Sequence, residues 1–72
     1  MKTLRQMEIE DDLRSRHGGM LSSADVGREL GLQNKDAIRA FLAGLPAYEI
    51  GSRRRWRVCD LAKRLADTEV RA

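Results

Sequence analysis

A basic stretch at residues 51–58 holds four of the fourteen Lys and Arg residues of the chain, together with its only Trp. Arginine is a forked, permanently charged donor that suits phosphate and carboxylate groups. Side chains in an extended strand alternate between two faces, so Trp56 and Val58 share one face while Arg55 and Arg57 share the other. The pattern predicts an arginine face that binds a polyanion and an opposite face that packs on a core.

A shorter alternating run precedes this stretch, and the two together predict a β-hairpin. Tyr48 and Ile50 alternate with their neighbours, and residues 51–54 supply a polar, glycine-led turn. Pro46 opens the first strand, where its missing N–H costs least. Trp56 is predicted to be a core residue, because three aromatic residues are too few for a base-stacking surface. The alternative is a solvated hairpin whose arginines only aid solubility.

Length and charge restrict the classes of protein that this chain represents. Seventy-two residues form one small domain, which is too small for a large enclosed active site. The net charge of +3 is unevenly distributed: residues 1–34 hold five basic and six acidic side chains, and residues 35–72 hold nine basic and five acidic ones. The positive second half is typical of proteins that bind nucleic acid or an acidic membrane surface.

Cysteine usage and hydropathy predict a soluble cytoplasmic protein. The single Cys cannot form an internal disulfide, which is typical of a reducing compartment. Cys59 itself is interpreted as a small buried hydrophobe. No apolar run approaches the roughly 20 residues of a membrane span, and the N-terminus has no apolar leader core. We therefore expect no membrane partner.

The residue types needed for catalysis are too few. One His and one Cys supply neither a zinc ligand set nor a nucleophile with its base. His17 is interpreted as a helix-end residue, and Gly18-Gly19, which lacks the Lys of a phosphate loop, as a helix stop. The sequence predicts a protein that is not an enzyme and that uses no metal, cofactor or small-molecule substrate.

Residues 1–19 are predicted to form a helix, with a Thr-x-x-Gln capping box at its start and a Gly-Gly stop. Its apolar pattern is poor, because Leu4 and Met7 point one way while Ile9 and Leu13 point nearly the other. Either the helix is buried on two sides or its beginning is frayed. We expect it to pack across the domain or to meet another protein, since its acidic cluster repels DNA: Glu8, Glu10, Asp11 and Asp12.

Two further helices are predicted, with a short turn between them. Ser22 and Asp25 have the spacing of a capping box, and Gly31 lies where a left-handed residue ends a helix. Gly27 falls inside this helix, which indicates close approach by another helix. Asn34 caps the third helix, whose apolar residues recur at i, i+3, i+4 and i+7: Ile38, Phe41, Leu42 and Leu45. The polar face of the third helix presents Lys35, Asp36, Arg39, Ala40 and Ala43.

A last helix is predicted from Cys59 to about Thr68, with Asp60 near its positive end and Leu61 among its inward residues. The residues that follow it are expected to be frayed. The predicted fold class is mainly α with a small β-hairpin. Residues 1–19 form an N-terminal helix in this interpretation, and residues 20–72 form a compact unit.

In this order the motifs resemble the winged helix-turn-helix domain that MerR-type regulators share with phage or transposon excisionases. The resemblance covers residues 21–65, about two thirds of the chain. It lies in Ser22-x-x-Asp25-Val26-x-x-x-Leu30-Gly31-Leu32, in Ile38-x-x-Phe41-Leu42, in Leu45-Pro46-Ala47-Tyr48-x-Ile50-Gly51 with Arg53, Arg55, Trp56 and Arg57, and in Asp60-Leu61. Residues 1–17 have no counterpart in the minimal family domain. The long dimerising helix of MerR-type regulators is absent here, which favours the excisionase-like or small phage-regulator branch.

The resemblance implies that the third helix enters the major groove of double-stranded DNA and that the hairpin is a wing on the backbone or minor groove. Gln33 makes the turn one residue longer than is usual, so the base reader is Lys35 or Arg39. Asp36 is repelled by phosphate, although it can accept a hydrogen bond from cytosine N4. The candidate DNA-binding residues are Gln33, Asn34, Lys35, Arg39, Arg53, Arg54, Arg55 and Arg57.

The function expected from this resemblance is that of an excisionase-like recombination directionality factor or a small transcriptional regulator, in a bacterial cell or a phage-infected host. Its partners would be double-stranded DNA and either a recombinase or further copies of itself on adjacent sites. The alternative is a protein-interaction winged helix that recruits a recombinase or packaging enzyme without specific DNA binding. Steep salt dependence of binding to random duplex DNA favours the first function.

Overall fold

The computed structural model describes residues 2–69, and this part of the chain contains four helices and three short strands. In chain order they are α1 (Leu4–His17), β1 (Met20–Leu21), α2 (Ser23–Leu30), α3 (Lys35–Leu42), β2 (Tyr48–Ile50), β3 (Arg53–Arg57) and α4 (Val58–Thr68). The protein is therefore mainly helical with a small antiparallel sheet. The prediction of fraying after the last helix falls on residues 70–72, which lie outside the described residues. No helix within residues 2–69 is long and apolar enough to cross a membrane.

The predicted hairpin is formed by β2 and β3, and its register is Tyr48↔Arg55, Glu49↔Arg54 and Ile50↔Arg53. Its turn is shorter than the predicted turn over residues 51–54. Only Gly51 and Ser52 lie between the strands, because Arg53 and Arg54 already pair with β2. Gly51 has a φ of +67°, which a two-residue turn of type II′ requires at its first position.

A third strand extends this hairpin into a sheet with the order β1-β3-β2. The sequence predicts only the hairpin, so this part of the predicted fold class is corrected. Strand β1 pairs Met20 with Arg57 and Leu21 with Trp56. The backbone N–H of Val58 also donates to the Gly19 carbonyl at 3.1 Å. Strand β1 therefore ties the end of α1 to the junction of β3 and α4.

Two predictions at element boundaries are wrong. Val58 is predicted to share a strand face with Trp56, but it is the first residue of α4 and is fully buried. Pro46 is predicted to open the first strand, but β2 begins two residues later, at Tyr48. Both errors have the same cause. The alternation of residue types continues past the end of the strand, whereas the backbone changes conformation there.

The helix ends follow local hydrogen bonds that the sequence predicts. The hydroxyl of Thr3 accepts a hydrogen bond from the Gln6 backbone N–H at 3.0 Å, although the reciprocal half of that capping box is not formed. Ser22 and Asp25 form a complete capping box, with both hydrogen bonds at 3.2 Å. The Asn34 side chain accepts from the backbone N–H of the second residue of α3 at 2.8 Å. Gly31 ends α2 with a φ of +70°.

The core lies between the helices and one face of the sheet. The apolar faces predicted for α2, α3 and α4 all contribute to it. Trp56 is half-buried and packs against it, as predicted. The fully or nearly fully buried apolar residues are Leu13, Leu21, Val26, Leu42, Val58, Leu61 and Ala62.

Helix α1 packs mainly against α4. Neither of the two alternatives predicted from its poor apolar pattern, burial on two sides or a frayed start, describes it. The helix is regular from Leu4 onward, so its start is not frayed. It is buried on one side only, where Leu13 enters the core beside two polar residues, Gln6 and Glu10. The prediction that this acidic segment packs across the domain is confirmed.

Candidate nucleic-acid interface

An open groove lies between α2, α3 and the β2–β3 hairpin, and we call it the basic groove. Its apolar floor includes Ile38, Leu42 and Trp56. Within residues 2–69, no Asp or Glu lines the groove, whereas five cationic side chains do: Arg28, Lys35, Arg39, Arg53 and Arg54. Cations contributed by three separate elements therefore converge on one surface.

Helix α3 brings Lys35 and Arg39 to the groove beside Ile38 and Leu42, whose side chains form part of its floor. Residues four apart lie on the same helix face, so these two cations are stacked one turn apart. The position of α3 depends on Gly27 of α2. A Cβ atom at Gly27 would lie 2.9 Å from Ile38 Cδ1 and 3.0 Å from the Leu32 carbonyl oxygen. The close approach of two helices predicted from Gly27 is thus confirmed.

The C-terminal end of α3 is held by Arg64 of α4. Its guanidinium donates to the carbonyl oxygens of Phe41 at 2.8 Å and of Ala43 at 3.2 Å. The last carbonyl groups of a helix have no partner within the helix, so these bonds satisfy two of them. Nothing in the local sequence around Arg64 indicates this contact. It fixes α3 at the end opposite to its Asn34 cap.

Most of the cations that line the basic groove are available to bind an anion. Within residues 2–69, Lys35, Arg39, Arg53 and Arg54 form no salt bridge with any carboxylate. Arg28 is the exception, since it contacts Asp25 at 2.8 Å. The groove therefore has a positive charge that intramolecular ion pairs leave largely uncompensated.

The two faces of the hairpin carry different arginines. Trp56 and Arg54 lie on the face that borders the groove. Because strand side chains alternate, Arg55 and Arg57 lie on the other face, away from α3. Directly paired residues of an antiparallel sheet share a face, so Tyr48 accompanies Arg55 there. A hydrogen bond with the Tyr48 side chain raises the pKa of the Arg57 guanidinium.

The eight candidate DNA-binding residues are thus only partly brought together. Gln33, Lys35, Arg39, Arg53 and Arg54 line the basic groove. Asn34 lies at the edge of this set, where its side chain is used to cap α3. The predicted arginine face with Arg55 and Arg57 exists, but α3 lies on the opposite side of the hairpin.

Arg28 of α2 lines the groove although the sequence analysis did not select it. A signal for it exists in the sequence. Ala24, Gly27, Arg28 and Gly31 recur at i, i+3, i+4 and i+7, which marks a second face of α2 with mostly small residues. Such a face allows a neighbouring helix to approach, and it places a residue like Arg28 at the edge of the contact.

Several acidic side chains of α1 and α2 are held in ion pairs, and within residues 2–69 none of them lines the basic groove. Glu29 of α2 accepts from Arg16 at 2.8 Å and contacts His17 Nε2 at 2.5 Å. The hydrogen bond from Arg16 lowers the pKa of Glu29. His17 is the last residue of α1, as predicted, and its contact with Glu29 joins α1 to α2. Glu29 is thereby held at α1, whereas Asp25 contacts Arg28 at the edge of the basic groove.

Comparison with protein-family models, with curated proteins and with solved structures found no match. Within the described part of the chain, no group of three or more His, Cys, Asp or Glu side chains is placed to hold a metal ion.

Proposed function

We propose that this chain is a winged helix-turn-helix protein that binds double-stranded DNA, with α3 in the major groove and the β2–β3 hairpin as the wing. The observation that carries the proposal is the basic groove. It joins unpaired cations of α3 and the hairpin on one surface, and no carboxylate lines it within residues 2–69. DNA affinity depends mainly on such phosphate contacts.

The exposed side of α3 has the composition of a helix that reads base edges. A major groove about 12 Å wide admits one α-helix. Arg39 lies one turn inside α3, and its guanidinium group can donate two hydrogen bonds to guanine O6 and N7. Lys35 is the first residue of α3, and Gln33 precedes the helix. The exposed face also holds Ala40 and Ala43, which permit close approach to the duplex, and Asp36, which can accept a hydrogen bond from cytosine N4. We assign Arg39 as the first reader and Lys35 as the second.

The wing contributes Arg53 and Arg54 to the same duplex, on backbone or minor-groove phosphates. Arg55 and Arg57 take no part in this contact, because they lie on the far face of the sheet. Phosphate contacts fix register and add affinity without discriminating between sequences. The wing therefore acts as a clamp, and α3 supplies the specificity.

Among biological roles, an excisionase-like directionality factor or a small transcriptional regulator suits this domain, acting in the cytoplasm of a bacterial cell or phage-infected host. The domain carries a DNA-binding surface and, in this proposal, no catalytic machinery. A single helix in the major groove has a small footprint, so specificity would depend on a neighbouring recombinase or on further copies.

The test is the salt dependence of binding to a random-sequence duplex, measured by fluorescence anisotropy. The four groove cations without a salt bridge within residues 2–69, Lys35, Arg39, Arg53 and Arg54, contribute about 0.9 each on a random duplex and predict a log–log slope of about −3.6. A slope near zero, or no binding at low salt, would favour a winged helix that recruits a recombinase or packaging enzyme through protein contacts alone. Selection of a preferred site from random duplexes would then identify the sequence that α3 reads.

A further inference from the structure

Helix α1 has two polar side chains on its packed side, beside Leu13, and two apolar side chains on its solvent side. Its packed side includes Gln6 and Glu10, which are only 9% and 8% exposed. Its solvent side carries Leu4 and Met7, which are 71% and 43% exposed. These two belong to a stripe at i, i+3, i+4 and i+7 that we call the acidic helix face: Leu4, Met7, Glu8 and Asp11.

The outer face of the hairpin has the complementary composition. Tyr48 and Ile50, which are 39% and 54% exposed, complete the set of exposed large hydrophobic residues within residues 2–69. Tyr48 is paired with Arg55 and Ile50 with Arg53, so each apolar side chain lies beside an arginine on the same face. We call these four residues the basic hairpin face. Exposed apolar side chains gathered in this way mark interaction surfaces.

The charges on both faces are available to a partner. Within the described residues, Asp11 forms no salt bridge, and neither arginine of the basic hairpin face does. Glu8 has one loose contact of 3.6 Å with Arg5, whose nearer partner is Glu69 at 2.6 Å. Each face therefore combines two exposed apolar side chains with charge of a single sign.

We propose that the acidic helix face of one copy binds the basic hairpin face of a second copy in a head-to-tail contact. The contact removes four exposed apolar side chains from water and places carboxylates opposite guanidinium groups. The two faces lie on different elements, so each copy offers both halves of the contact, and the contact repeats into a ring or an open array when the two faces meet different copies. We infer a second copy of this chain as the partner, because each face offers the opposite charge and the exposed apolar side chains that the other face can bind.

The association leaves the basic groove open, because the basic hairpin face lies on the other side of the sheet. Only Arg53, at the tip of the hairpin, borders both surfaces. If the proposed DNA-binding function holds, associated copies occupy neighbouring sites on one duplex, and this part of the inference rests on that function. The association itself is independent of DNA binding, and it uses α1, a helix that the minimal winged-helix domain lacks.

Sedimentation velocity of the full chain without DNA tests the proposal. We expect the wild type to form species larger than the 8.2 kDa monomer as its concentration rises. Variants Met7→Ser/Asp11→Lys and Ile50→Ser/Arg55→Glu each destroy one face, so each is expected to remain monomeric. An equimolar mixture of the two variants is expected to form a species of twice the monomer mass, because each retains one intact face.

Two control variants, Lys63→Glu and Asp36→Lys, each reverse one exposed charge that lies outside both faces. We expect both controls to associate like the wild type. Dimer formation in the mixture also shows that both variants are folded. A wild type that stays monomeric at every concentration, or a mixture that stays monomeric, overturns the proposal. So does undiminished association of either face variant. Because DNA is absent, none of these results bears on the salt slope of duplex binding.

Discussion

Two neighbouring arginines, Arg54 and Arg55, carry the same charge but lie on opposite faces of the hairpin. We expect Arg54→Ala to weaken duplex binding and Arg55→Ala to leave it nearly unchanged. In the sequence the two substitutions are nearly equivalent. In the structure only Arg54 lines the basic groove.

The expected magnitude follows from counterion release. One phosphate contact contributes about 0.9 to the log–log salt slope, so near 0.1 M salt its loss lowers affinity about eightfold, or by about 1.2 kcal/mol. Arg54 is the cross-strand neighbour of exposed Glu49 but forms no salt bridge with it within residues 2–69, so the expected loss is that of the phosphate contact alone. Arg55 lies on the far face of the sheet and makes no phosphate contact in this proposal, so we expect its loss to change affinity by less than about twofold at moderate salt.

The assay is anisotropy of a labelled duplex of roughly 12 base pairs, little more than one helical turn, so that only one copy binds. Both variants are titrated at several salt concentrations after their melting temperatures are shown to match the wild type. Equal losses of affinity for the two variants would refute the assignment of the groove. A larger loss for Arg55→Ala would show that the duplex contacts the opposite face of the hairpin.

Two further predictions concern stability. Gly27→Ala gains about 1 kcal/mol of helix propensity but creates contacts below 3.1 Å, and such overpacking costs about 1 to 3 kcal/mol. We expect a lower melting temperature, partly restored by adding Ile38→Val; a higher one would contradict the packing. Because the pKa of Glu29 lies below its ordinary value of 4.5, its ion pairs stabilise the fold above that pH and fade as pH falls through the lowered pKa. Glu29→Gln should therefore weaken the dependence of the free energy of unfolding on pH at acid pH. An unchanged pH dependence in the variant would contradict this.

The sequence by itself determined the local structure. The caps at Ser22 and Asn34, the left-handed end at Gly31 and the core side of α3 all follow from hydrogen bonds and periodicities within a few residues. The existence of the hairpin and the alternation of Trp56 with its neighbouring arginines are of the same kind. These features are short-range, so one sequence window contains every group that decides them.

The tertiary structure alone decided which of these faces meet. Strand β1 is two residues long, so its pairing with β3 leaves no alternating pattern to detect. The contact of Arg64 with the end of α3 joins residues more than twenty positions apart. Alternation separates Arg54 from Arg55, but it does not say on which side of the sheet α3 lies. That choice depends on how helices and sheet share one small core, and it determines which arginines accompany Lys35 and Arg39.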